Sequence, residues 1–195
     1  MKKACQCLVV MFSLSFVVSC ALKRPYMIDV EPKLKPSEGK ALVNFIRPSG
    51  FGWAVKATLW DSDKLIGVSF AKQGFQYECD PGRHLFLAWS EYKSPVEAEL
   101  LPNRIYYIVL RVRPGGWRAR IHQIPVNKDH ELWEEALEWK RSLPNRTFDE
   151  QHLATAEAES KSKIVEYLRY YESEVKGTKH VLFLRPEDGI NPDEF

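Results

Sequence analysis

Two hydrophobic periods divide the chain. Residues 40–126 alternate or run apolar in short bursts, whereas residues 129–176 repeat their apolar positions at helical spacing. In the first region the run 41–46 is stopped by Arg47-Pro48-Ser49-Gly50, and 53–60 by Asp61-Ser62-Asp63-Lys64. Further strands are predicted over 65–70, 74–79, 84–89, 96–101, 104–110 and 117–126. The turns between them are marked by Asp80-Pro81-Gly82, Pro102-Asn103 and Arg113-Pro114-Gly115-Gly116. Phe75, Tyr77 and Cys79 share one strand face, as do Leu85, Leu87 and Trp89. Short strands with a turn about every ten residues predict an antiparallel β-sandwich.

In the second region Leu132, Trp133, Ala136, Leu137, Trp139 and Leu143 fall within an arc of about 160° on a helix over 129–143. A capping box, Thr147 with Glu150, predicts a second helix reaching 176, with Gly177 just past its end. Leu153, Ile164, Val165, Leu168, Tyr171 and Val175 share one side of it, while 156–163 is polar and reads as an exposed middle. Residues 180–184 return as a final strand, and 186–195 read as an acidic tail. The fold class is therefore α+β, a β-sandwich followed by two C-terminal helices.

The N-terminus has a different character. Lys2 and Lys3 precede an apolar run over 8–16, and Val17-Val18-Ser19-Cys20 closes it. This is the form of an export signal, and the run is too short to span a bilayer, which takes about 20 residues. The last four residues resemble the lipobox of bacterial lipoproteins, in which the cysteine is diacylated, cleaved on its N-terminal side and acylated again. That resemblance implies residues 1–19 as signal peptide and a lipidated Cys20. Residues 20–39, with Pro25, Pro32 and Pro36, read as a tether able to stretch about 60 Å. The sandwich then occupies 40–126, and a helical extension with its tail occupies 127–195. Ala21 stands where the enterobacterial rule for inner-membrane retention expects Asp, which favours the outer membrane.

Charge and cysteine content narrow the functional classes. The net charge of +2 falls to zero once Lys2 and Lys3 leave, so no global basic field argues for nucleic acid. Cys5 and Cys7 leave with the signal and Cys20 carries lipid. Cys79 then has no intrachain partner and reads as a small buried hydrophobe.

The β region is similar to a family of bacterial lipoproteins built on a domain of unknown function, number 2846. The likeness is carried by Ala41-Leu42-Val43-Asn44-Phe45-Ile46-Arg47-Pro48, the loop 61–67, the turn Cys79-Asp80-Pro81-Gly82-Arg83-His84 and the strand Arg104-Ile105-Tyr106-Tyr107-Ile108. It spans 40–126, and the extension after Asn127 lies outside it. The resemblance implies an exported, membrane-tethered β-sandwich with no catalytic residues to carry over. One departure is that Asn103-Arg104 stands where the family has a glycine before the tyrosine pair.

Candidate chemistry is sparse. His130-Glu131-Leu132-Trp133-Glu134 begins like the zinc-protease motif H-E-x-x-H, but Glu134 replaces the second histidine and His130 reads as a surface residue. His84, His122, His152 and His180 lie on separate elements, and nothing marks Ser90 or Ser94 as a nucleophile. No cofactor or metal motif is present. An enzyme would need His84 or His122 beside a carboxylate in a cleft. Asn145-Arg146-Thr147 forms a glycosylation sequon, but Thr147 reads as the helix cap.

The best local patch is the hairpin carrying Arg111, Arg113, Trp117, Arg118 and Arg120, whose planar guanidinium groups suit carboxylate or phosphate. The reading is thus a non-enzymatic, lipid-anchored envelope protein that recognises a protein or an anionic envelope component. The alternative is a small-ligand or glycan-binding module using Trp53, Trp60, Trp89 and the Tyr106-Tyr107 pair. Exposure of these aromatics would favour it and burial would count against it.

Overall fold

The run Ala41–Arg47 has no polar face because it has no free face. In the computed structural model, which describes residues 26–89, 93–114 and 120–194, this strand (β2) is buried along its whole length. It lies at the centre of a six-stranded sheet, between β5 (Gln73–Cys79) and β8 (Arg104–Arg113). Beyond β8 comes β9 (Arg120–Val126), and beyond β5 come β10 (Asn145–Phe148) and β1 (Met27–Asp29). A second sheet runs in the order β11 (Leu182–Leu184), β7 (Lys93–Leu100), β6 (Gly82–Trp89), β3 (Ala57–Asp61) and β4 (Lys64–Ser69).

The sheets pack face to face through Phe45, Phe75, Phe86, Tyr106 and Ile108, with the Phe45 and Phe86 rings edge-on at 5.4 Å. Helix α1 (Trp133–Ser142) covers the outer face of the first sheet, where Leu132 and Ala136 bury Leu42, Ile46 and Val109. Helix α2 (Glu150–Tyr170) and the π-turn Tyr171–Val175 cover the second sheet, with Tyr167 edge-on to Trp89 at 5.8 Å. The α+β sandwich stands, as four layers.

Several expectations are corrected. The sheets are mixed rather than wholly antiparallel: β2 pairs parallel with β8, β10 with β5 and β11 with β7. In each case the chain returns after a long excursion instead of a hairpin, which frees its direction. The tether is also shorter than 20–39. Residues 27–29 pair with β10, and 30–39 lie along β5 as a strap. Gln76 accepts from the Lys33 amide at 2.7 Å and donates back to its carbonyl at 2.9 Å. Glu78 accepts from the Ser37 amide at 2.8 Å and pairs with Lys33 Nζ at 3.0 Å.

Residue 126 does not divide the structure either. Strands β10 and β11 belong to the two sheets, and buried Arg146 links β10 to Asp29 at 2.6 Å and to Gln73 at 2.8 Å. The acidic tail docks: Ile190 bridges Ile105, and Asp188 accepts from Asn127 at 2.7 Å. Helix α1 starts at Trp133 rather than 129, because His130 Nδ1 accepts from the Leu132 amide and fixes a turn there. Thr147 pairs with Ile28 in the sheet, so Asp149 caps α2 instead, accepting from the Gln151 amide at 3.1 Å. Within the polar middle of α2, Ala156 is buried. Asn103 takes φ +58°, a left-handed conformation that Asn tolerates.

Candidate functional site

Strand directions bring four connections to one end of the sandwich: β2 to β3, β4 to β5, β6 to β7 and β8 to β9. The ladder between β2 and β8 ends at Val109, and the following residues of β8 continue paired with β9. Arg111 stands opposite His122, and Arg113 directly opposite Arg120. Arg113 and Arg120 are exposed and Arg111 is half-buried. Like charges facing each other across an antiparallel pair oppose folding. Burial, reinforced by Arg113 and Arg120, pushes the pKa of His122 down, so its ring is neutral at neutral pH. Three of the predicted site residues thus converge at this end; Trp117 and Arg118 lie outside the described residues, as does Cys20.

The same end holds a feature that sequence reading missed. Arg47, read as a strand stop, is fully buried. Its guanidinium donates to the carbonyls of Val55 at 2.7 Å, Gly52 at 2.8 Å and Ser69 at 3.3 Å. Burial lowers its pKa to about 10, which leaves it charged at neutral pH. The loop 48–56 is therefore closed over a buried cation, and Gly52 supplies the φ of +66° that its turn requires.

The opposite end is built from matched polar groups. Asp61 Oδ2 accepts from His84 Nδ1 at 2.7 Å and from the Tyr77 hydroxyl at 3.1 Å. His84 Nε2 donates to the Asp80 carbonyl at 2.9 Å, and the imidazole stacks on Phe86 at 5.7 Å. Burial lowers the His84 pKa, but bonding to Asp61 and the neighbouring Cys79 outweighs it and raises it to about 10. With both nitrogens donating, this is a charged clamp and has no lone pair to take a proton. Cys79 is buried, its Sγ 4.0 Å from the Ala41 carbonyl. Lys40 and Asp80 pair nearby at 2.7 Å.

The other candidates stay apart. His152 pairs with Asp149 at 2.7 Å on the surface, His180 is exposed, and Ser94 is buried with its Oγ accepting from the Gln123 amide. Ser90 lies outside the described residues. Among the described residues no three His, Cys, Asp or Glu side chains converge to hold a metal ion. Of the aromatics, Trp60, Tyr106 and Tyr107 are buried, Trp89 lies half-buried under α2, and Trp53 is exposed. A cleft of about 400 Å³ lies under the strap, lined by Val30, Leu42, Ile66, Phe75, Gln76 and Tyr77.

Against known proteins, the chain matches no family model, no curated protein and no solved structure.

Proposed function

We propose that the chain is a membrane-anchored bacterial envelope lipoprotein, acylated at Cys20, that acts without catalysis. In this reading it recognises a protein or an anionic envelope component through Arg111, Arg113, Trp117, Arg118 and Arg120. The observation that carries the binding half is the gathering of Arg111, Arg113 and Arg120 on β8 and β9 at one end of the sandwich, with Arg113 opposite Arg120 in the ladder, a set of guanidinium groups suited to an anion. The anchoring half is supported by the lysine-led apolar run ending in Val17-Val18-Ser19-Cys20, and the outer membrane is favoured by Ala21.

Cross-linking in intact cells, with mass spectrometry of the joined species, tests this reading. Wild-type protein should yield a partner that is lost both in a Cys20→Ala form and when the four arginines become Ser. Binding by the serine form that keeps the wild-type strength and salt dependence would overturn the site. A second reading, as a small-ligand module, is favoured by the 400 Å³ cleft under the strap. It predicts a ligand-induced rise in Tm that Ile66→Trp abolishes by filling the cleft.

A further inference from the structure

We infer that the 48–56 loop is a bilayer-contacting element. Phe51 and Trp53 enter the interfacial layer of the membrane that holds the Cys20 anchor, and the cationic end of the sandwich faces its anionic headgroups. The inference rests on the lipid-anchor reading for where the membrane lies.

Three independent features meet at this end. The first is presentation. Phe51 is 54% and Trp53 70% exposed, on one short loop whose backbone is fixed by the buried Arg47 guanidinium. Isolated exposed apolar residues need no explanation, but a buried cation holding two large aromatics in water does. Tryptophan is suited to the membrane interface, where an apolar ring and a polar N–H meet different surroundings.

The second is charge. Among the described residues, the connections at this end carry Lys56, Lys72, Arg111, Arg113 and Arg120. A surface of that sign is drawn to anionic lipid. At the opposite end the signs are mixed: Lys40 pairs with Asp80 and His84 with Asp61, and exposed Lys64 and Arg83 stand near exposed Asp63 and Asp80.

The third is reach. Residues 27–39 are docked on the sheet, and the six residues that separate Cys20 from Tyr26 in the sequence span about 20 Å at most even when fully extended. Tyr26 lines a cleft of about 190 Å³ together with Lys56 and Phe70, and Lys56 Nζ lies 5.7 Å from the Phe70 ring. The anchor therefore reaches the fold at a cleft whose lining extends to Lys56, the residue that closes the 48–56 loop. A domain held this closely cannot stand off the bilayer.

The test uses the full acylated protein reconstituted in vesicles of phosphatidylglycerol and phosphatidylethanolamine with brominated acyl chains, which quench nearby indoles. Wild type should lose on the order of one sixth of its tryptophan emission beyond what Trp53→Phe loses, one indole of six. Trp53→Phe keeps an aromatic in the loop, so the difference reads Trp53 alone. Phe51→Ser should reduce that difference by drawing the loop back. Equal quenching of wild type and Trp53→Phe, with two or more acyl chains found on Cys20 by mass spectrometry, would overturn the loop's role and leave the anchor standing. An unmodified Cys20 would instead overturn the anchor, while a persisting Trp53 difference would still support contact by the loop.

Discussion

The two ends of this sandwich are built on opposite rules. At one end polar groups are matched: His84 donates to Asp61 and to Asp80, Lys40 pairs with Asp80, and the chain's own tail closes over Tyr106. At the other end Arg113 faces Arg120, Phe51 and Trp53 stand in water, and the buried guanidinium of Arg47 holds up the loop that exposes them. Matched groups add stability without needing a partner, whereas large aromatic rings left in water and like charges placed opposite each other in a ladder add none of their own. The difference marks the end whose residues are not accounted for by folding alone.

The largest effect is expected from removing the cation that shapes the exposed end. Arg47→Met keeps volume but leaves the carbonyls of Gly52, Val55 and Ser69 without their donor in a buried site. It should cost about 3 kcal/mol in urea unfolding. A loss under about 1 kcal/mol would mean that the loop holds itself. At the closed end, a Cβ on Gly189 would lie 2.6 Å from the Tyr106 hydroxyl, which accepts from the Leu101 amide at 2.8 Å. Gly189→Ala should therefore cost about 2 kcal/mol by prying the tail from the sheet. It should leave quenching of Trp53 by brominated lipid unchanged, because the two ends are separate.

The His84 clamp gives the closed end a pH signature. Its folded pKa of about 10 lies above the ordinary histidine value of 6.5. The native state therefore holds its proton where the unfolded chain has released it, and the stabilisation is complete below pH 6.5 and fades as pH rises toward 10. Urea midpoints measured between pH 6 and 9.5 should fall by the equivalent of about 1 kcal/mol in wild type, a modest figure for a partly solvated pair. The fall should vanish in His84→Gln. A slope that survives the substitution would assign the effect to another group.

How far the sequence revealed this depended on the range over which each feature is encoded. Strands β2 to β9 were legible because alternation and turn residues lie within a few positions of each other, as in Asp80-Pro81-Gly82 before β6. The same holds for the hairpin arginines, which the chain itself brings together. Strands β1 and β10 were not legible: each has three or four residues and no period, and they find each other across more than a hundred positions. Their partner-dependence also took Thr147 from its reading as a cap. Asp61 and His84 were visible as residue types, but the register of β3 on β6 makes them a pair. Arg47 was hardest, since an arginine before a proline at a strand end looks solvated, and only the neighbouring carbonyls show that it is a buried clamp.

The smallest change sharpens the comparison most, because the two ends should answer it with opposite signs. Arg113→Glu converts a like-charge pair across β8 and β9 into an attractive one. The hairpin should gain about 0.5 kcal/mol, read as a small rise in urea midpoint. The same substitution reverses one charge on the face proposed to meet anionic groups, so association with phosphatidylglycerol vesicles should weaken and lose salt dependence. At the closed end, Lys40→Glu should do the reverse, losing its pair with Asp80 and destabilising slightly while leaving vesicle association as it was. If Arg113→Glu weakened both stability and binding, the arginine would be holding the hairpin together. The contrast between a matched end and an end kept for a partner would then fail at the residue that expresses it most directly.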